Sequence, residues 1–253
     1  MDVKEYTEYY LKDNEEGFEF FQVKYRRKKV LEIMEKYSHK RILEISCGLE
    51  PYFTFMDSNS YEEYTVIEPN EIFYKNAVSL ASENKKIQCI NMPFYYDEKL
   101  KNKNFDFIIC SGLLPEIPDP QKLLEDIKKI SNKDTVIHIN TPNANSFHRL
   151  LAKEMGIIND LTALSQRNIR MQLNYVLTPN DFKDLIITAG FRILDSGSYF
   201  LKPFTHDQMY SMMKNNIINE NVLDGLYTIN DTLSSRCGGG GIGSELFVNV
   251  KIQ

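Results

Sequence analysis

The stretch whose residue types and spacing could do chemistry is Glu44-Ile45-Ser46-Cys47-Gly48-Leu49-Glu50-Pro51, a tight turn at the end of the apolar run Arg41–Ser46. A parallel sheet binds ligands beyond the carboxyl ends of its strands, and Gly48 there lets backbone approach a ligand closely. Glu68 stands twenty residues later, at the end of the next apolar run. An acid so placed can accept from both hydroxyls of a ribose, so the pairing of turn and acid points to adenosine recognition. Two adenosine cofactors compete at this point. A dinucleotide site needs the three glycines of G-x-G-x-x-G to admit its pyrophosphate. This turn has one glycine, with Ser46 and Glu50 where others would sit, and Glu50 would repel a pyrophosphate. An NAD site is therefore the second reading.

A histidine is the natural base near neutral pH, and the chain holds His39, His138, His148 and His206. His138 alternates with Val136 inside an apolar run and reads as a satisfied buried residue. His148 is the candidate catalytic base: it follows Asn140-Thr141-Pro142-Asn143 at the carboxyl edge of the sheet, on a helix that begins at Ser146. Asn140 and Arg149 are the candidate substrate-contacting residues on the same segment. Arg149, Arg167, Arg170 and Lys202 are cations that a phosphate or carboxylate substrate would need. His206 opens a helix that Thr205 or Asp207 would cap, and Met209, Met212 and Met213 read as core. No set of Asp and Asn residues is arranged tightly enough to suggest a metal centre.

The elements that must position these residues alternate in type. Arg41–Ser46, Tyr64–Pro69, Lys86–Asn91, Phe105–Cys110 and Asp134–Asn140 are short runs rich in Ile, Val and Phe, apolar on both faces, as strands covered on two sides should be. Helical periodicity fills the gaps: Asn70–Ser82 with Ile72, Phe73, Ala77 and Leu80 apolar, and Gln121–Ile130 with Leu123, Leu124, Ile127 and Ile130 apolar. Asn70 and Asp119-Pro120 supply their start signals. Thr178-Pro179 opens a further helix that Gly190 closes, FRILDSGSYF follows as a sixth strand, and Gly243–Ile252 alternates as a seventh. This is an α/β, Rossmann-like, doubly wound, mostly parallel seven-stranded sheet. Residues 1–40 read as an N-terminal helical cap and 41–253 as the core, with helical insertions near 142–177 and 201–240 that could form a lid. The aromatic residues Tyr6, Tyr9, Tyr10, Phe18, Phe20 and Phe21 could close over a cofactor or simply pack. Gly238–Gly241 reads as a flexible connection into the last strand.

Composition bounds the function classes. The 253 residues carry 30 Lys and Arg against 35 Asp and Glu, a formal charge of -5, with 42% hydrophobic residues. Those are globular proportions, and a net acidic chain is a poor tracker of polyphosphate backbones. The basic run Lys24–Lys29 reads as a solvated helix face, so nucleic acid is not an expected partner. Cys47, Cys89, Cys110 and Cys237 form no C-x-x-C pair, which fits a reducing cytoplasm. The acidic N-terminal residues lack an apolar signal core, and no run is long enough for a membrane span.

Beyond this, the chain resembles the class I S-adenosylmethionine-dependent methyltransferases, in particular the small-molecule, ubiquinone-biosynthesis-like group. Where those enzymes have acid-x-Gly-x-Gly-x-Gly, this sequence has Glu44-x-Ser46-x-Gly48-x-Glu50. It keeps Glu68, Asn91-Met92 after the third strand, and Ser111-Gly112-Leu113-Leu114-Pro115-Glu116-Ile117-Pro118-Asp119-Pro120 after the fourth, with Pro115-Glu116 in place of Glu-His. The resemblance covers residues 40–141, and the 178–199 segment loosely. It implies S-adenosylmethionine as cofactor. Glu44 would orient the methionine amino group, and the Ser46, Cys47 and Gly48 backbone would lie along the methionine. Glu68 would hold the ribose, Pro69 or Asn70 would line the adenine, and Asn91 with Met92 would meet its edge. Ser111 and Gly112 would bound the sulfonium region. Arg170-Met171 near Tyr175 stands where the quinone-modifying relatives carry a Gly-His pair. The segments NTPNANSFHRLLAKEMG and FLKPFTHDQM resemble methyltransferases associated with bacterial surface-glycan genes, which implies a small polar acceptor such as a sugar precursor. An NAD(P)-linked oxidoreductase and a non-catalytic nucleotide-binding partner of the same fold are the alternatives. Self-association as a homodimer is left open.

Overall fold

The computed structural model describes residues 2–236 and 241–253, so Cys237 and most of the glycine run lie outside the described residues. Among the described residues there are seven strands: β1 (Arg41–Ile45), β2 (Glu63–Ile67), β3 (Ile87–Ile90), β4 (Phe107–Ser111), β5 (Val136–Pro142), β6 (Phe191–Tyr199) and β7 (Glu245–Ile252). They form one sheet in the order β3-β2-β1-β4-β5-β7-β6. β1 pairs in parallel with β2 and β4, β2 with β3, and β4 with β5. Among the described residues the helices are α1 (Val3–Glu16), α2 (Glu19–Met34), α3 (Glu71–Ala81), α4 (Glu98–Lys101), α5 (Pro120–Ile130), α6 (Phe147–Glu154), α7 (Gln166–Arg170), α8 (Pro179–Thr188), α9 (His206–Lys214) and α10 (Glu220–Arg236).

The chain divides into two compact units. One comprises residues 30–140, 183–195 and 248–253, the other residues 1–29, 141–182 and 196–247. In the first, β1, β2 and β4 are buried along nearly their whole length, which is why their sequences are apolar on both faces rather than alternating. The helices follow from their caps. The Asn70 side chain accepts from the amides of Ile72 and Phe73, and Asp119 accepts from Lys122 with Pro120 at the first helical position. Leu123, Leu124, Ile127 and Ile130 of α5 are buried, as their spacing predicts. The α3 stripe is narrower than predicted: Phe73 and Ala77 are buried, whereas Ile72 and Leu80 are about half exposed, at 54% and 49%.

In the second unit the basic run of α2 departs from its sequence reading. Tyr25 is fully buried and Lys29 nearly so. The Arg26 guanidinium grips the Glu245 carboxylate through Nε at 3.0 and 2.9 Å. A solvated face was expected because the partners of this run, Glu220, Asp224, Asp231 and Glu245, lie about 200 residues away in sequence. Thr205 caps α9 through a reciprocal box with Gln208. No described helix is long and apolar enough to cross a membrane.

Candidate functional site

The strand order reverses at β1: the chain runs outward through β2 and β3, then returns to place β4 on the other flank of β1. At such a switch point the turns after the two central strands diverge and leave a crevice, and here these are the turns after β1 and β4. Backbone shape matches that purpose. Ser46, Gly48 and Gly112 all have left-handed φ, at 58°, 62° and 74°. Ser46 thus takes, without being glycine, the conformation for which glycine is favoured. Its amide is fixed to Ile67 O at 2.7 Å, and Asn76 of α3 donates to Leu49 O at 2.6 Å, so the turn is held from β2 and from α3.

Glu68 lies directly beneath the turn and is 3% exposed. Oε2 accepts from Gly48 N at 3.1 Å and Oε1 from Asn70 N at 2.8 Å. Burial raises its pKa, while the amides of Asn70, Gly48 and Cys47 pull the other way. A carboxylate offers about four acceptor positions, and Gly48, Asn70 and Cys47 take up most of them, so a ribose bound here would displace the Cys47 contacts. Glu44 is engaged differently. Its carboxylate accepts from Tyr52 N at 3.1 and 3.3 Å and from the Tyr64 hydroxyl at 2.6 Å. In this structure Glu44 therefore holds the segment after the turn. The Asn91 amide donates to Glu68 O at 2.8 Å and Pro69 O at 3.2 Å, bracing the end of β2. Pro69 is exposed, and Met92 is partly so. Burial, with the nearby charges of Glu44 and Glu68, pushes the Cys47 thiol far up, so it stays protonated and is no nucleophile.

On the β4 side a buried polar chain begins. Ser111 Oγ meets the Tyr52 hydroxyl at 2.9 Å and Asn140 Nδ2 at 2.9 Å, while Gly112 N donates to Asn140 Oδ1 at 2.8 Å. Asn140 Nδ2 also meets His138 Nε2 at 3.1 Å, and His138 Nδ1 meets Asn249 Oδ1 at 2.8 Å. These contacts assign His138 as the Nδ1–H tautomer, accepting at Nε2. Asn140 accordingly bonds both turn and sheet. Sequence reasoning missed Tyr52, Tyr64 and Asn76, whose hydroxyls and amide reach the turn only through tertiary packing. Nothing local marks them.

In the other unit, His148 is on the first turn of α6, partly buried, with Nδ1 enclosed and meeting no hydrogen-bond partner. Burial and the basic side chains Lys202, His206 and Arg149 push its pKa down to about 2, so the ring is neutral. Arg149 donates to Leu161 O at 2.8 Å and to Ala163 O, tying down the following loop. Arg167 donates to Asp13 and Glu19, with Nη2 distances of 2.9 and 2.6 Å. Lys202 Nζ meets His206 Nδ1 at 2.7 Å. The ring of Phe18 stands edge-on to His206.

A doubly wound sheet with a left-handed turn after β1 and a buried acid closing β2 defines a Rossmann-like protein with a site suited to an adenosine ligand. Residues 19–196 match the model of a family described as a methyltransferase domain, and the chain belongs to that family. It is a class I methyltransferase. Similar solved structures include an S-adenosylmethionine-dependent methyltransferase from Mesorhizobium loti, at TM-score 0.59 and 11% identity, covering 89% of this chain and 97% of that one. One from Clostridium acetobutylicum aligns at TM-score 0.54 and 10% identity, covering 96% of each chain. One from Aquifex aeolicus aligns at 0.53 and 12%, covering 90% and 89%. At these identities the likeness is one of fold. No curated protein matches the sequence.

Proposed function

We propose that this chain, an S-adenosylmethionine-dependent methyltransferase, acts on a small polar metabolite, with a sugar or surface-glycan precursor as the leading acceptor class. The single observation that carries the cofactor assignment is Glu68, an acid at the end of β2 hydrogen-bonded to the left-handed turn after β1, the place where a Rossmann-like site meets a ribose. When bound, the cofactor supplies an electrophilic methyl group on a sulfonium. The residues assigned to it are Ser46, Cys47, Gly48 and Glu68 at the β1 and β2 ends, Pro69, Asn91 and Met92 beside the adenine, and Ser111 with Gly112 after β4. Glu44 and Asn140 keep the two turns in place from below through Tyr52 and Gly112. A methyl transfer disperses charge, so holding reactants close in a dry site accounts for most of the acceleration. His148, whose Nδ1 meets no partner, is the assigned substrate-side group with Arg149 its neighbour; with its pKa held down to about 2 it acts there as a weak base and hydrogen-bond partner.

Calorimetric titration tests the reading. S-adenosylhomocysteine should bind at one site per chain, NAD should not, and Glu68→Gln should weaken the homocysteine product about ten- to a hundredfold, the loss expected for charge-assisted bonds to hydroxyls. Transfer of a labelled methyl group to a panel of sugars and nucleotide sugars, lost in His148→Ala, would support the acceptor class. Binding of NAD in preference to S-adenosylhomocysteine would remove the assignment.

A further inference from the structure

The crevice beyond β1 and β4 has two walls, residues 46–52 after β1 and Ser111 with Gly112 at the end of β4. The ladder between the two strands ends at Ile45↔Cys110, one residue short of Ser46 and Ser111, so side chains must set the spacing beyond it. Each wall is anchored on its own side. The first is tied to β2 and α3, through Ser46 N on Ile67 O and Asn76 on Leu49 O. The second is tied to β5. Gly112 N donates to Asn140 Oδ1 at 2.8 Å, and Asn140 Nδ2 donates to Ser111 Oγ at 2.9 Å and to His138 Nε2 at 3.1 Å, with Asn249 of β7 behind the histidine.

Tyr52 reaches from one wall to the other. Its backbone amide donates to the Glu44 carboxylate, and its hydroxyl meets Ser111 Oγ at 2.9 Å. The ring between them is 7% exposed, and a packed tyrosine with two side-chain torsions is a stiff spacer. The short 3-10 turn that carries it, Tyr52–Phe55, is fixed as well: Phe53 stands edge-on to Tyr64 at 5.5 Å between ring centres, and the Tyr64 hydroxyl donates to the same Glu44. All of these residues belong to the unit of residues 30–140, 183–195 and 248–253. Such a spacer matters to a ligand that touches both walls. Without it the walls sample wider gaps, and affinity falls with the fraction of time that the binding gap is populated. A ligand confined to one wall is indifferent.

We propose that Tyr52 is a positioning residue for the cofactor: its hydroxyl, held on Ser111, sets the gap between the β1 and β4 turns for the methionine and sulfonium end. This deepens the cofactor placement above and rests on it. Glu68 holds the adenosine end from β2, so the two residues act on different halves of one ligand. That division is the signature that a merely structural tyrosine lacks. Losing a structural bond would loosen both halves alike, whereas losing the spacer loosens only ligands that span the walls.

The test is calorimetry on the full chain with S-adenosylhomocysteine, which spans the crevice, and with adenosine, read by its displacement of that product. Tyr52→Phe keeps the ring and the amide on Glu44 and removes the hydroxyl. The expected result is a loss of about three- to tenfold for S-adenosylhomocysteine, the worth of one neutral hydrogen bond, with adenosine nearly unchanged. Glu68→Gln should weaken both ligands. Ser111→Ala removes the other end of the same bond, so the double variant with Tyr52→Phe should bind no more weakly than the weaker single one. Unchanged product affinity in Tyr52→Phe, equal losses for both ligands, or losses that multiply in the double variant overturn the role and leave the methyltransferase reading standing. A native chain that binds no S-adenosylhomocysteine strikes that reading instead. Where adenosine displaces too weakly to measure, the double variant decides. Thermal melting verifies folding, and if Tyr52→Phe does not fold, Ser111→Ala must weaken the product and spare adenosine or the role is lost.

Discussion

Ser46 shows how a single residue can carry a family's geometry without its usual amino acid. The left-handed backbone that this turn requires is normally reached with glycine, and a side chain there costs on the order of 1 kcal/mol. The serine is kept in place by its amide bond to Ile67 O and by the neighbouring turn at Gly48, so the strain is absorbed by the sheet. Replacing it tests this account. Ser46→Gly should raise the denaturation midpoint by an amount equivalent to about 0.5 kcal/mol, the strain relieved less the extra freedom of glycine in the unfolded chain. Chemical denaturation measures it, and a loss of stability instead would mean that the hydroxyl contributes a contact more valuable than the strain. The departure from the glycine pattern was visible in the sequence. Its harmlessness was not, because backbone dihedrals are set by pairing partners.

At the scale of elements, the features legible in the sequence are those whose cause is local. Strands β1, β2, β4 and β5 announced themselves because burial on both faces leaves a continuous apolar run, whereas the edge strand β3 is only partly buried; α3 and α5 did so because Asn70 and Asp119 precede them. What failed depended on distant chain. The α2 basic run looked solvated because its acids come from α10 and β7, and Ile72 and Leu80 looked buried because helical spacing does not say how wide the covering sheet is. Within the site, Gly48 and Glu68 were readable as a turn and an acid in correct order. That Glu44 would turn inward to Tyr52 and Tyr64 was not, since both partners belong to later elements. The Asn70 cap gives a test confined to one element. Its side chain caps α3 while its backbone amide, which any residue supplies, reaches Glu68. Asn70→Ala should therefore cost about 1 kcal/mol of stability in denaturant melts yet leave the affinity for S-adenosylhomocysteine nearly unchanged. A parallel fall in affinity would show that the cap also positions the acid.

For the molecule as a whole, the buried charges around Lys202 make stability depend on pH in a direction that can be worked out. The unfolded lysine keeps its proton up to about 10.5, whereas the folded one releases it near 7. Between those values the unfolded chain binds more protons, so raising the pH favours the folded state. Below about 7 both forms are protonated and this contribution is flat. His148 acts in the same sense lower down: held near 2 when folded and near 6.5 when unfolded, it makes the fold lose stability as pH drops below 6.5. In the fold Glu19, Glu245 and Asp13 are paired with Arg26 and Arg167. Denaturant melts of the native chain and Lys202→Met at pH 7, 8 and 9 isolate the effect. Relative to the variant, the native chain should gain on the order of 1 kcal/mol per pH unit across that range. A stability difference that is independent of pH would place the lysine's proton outside the folding equilibrium, and would mean that the surrounding carboxylates hold it charged.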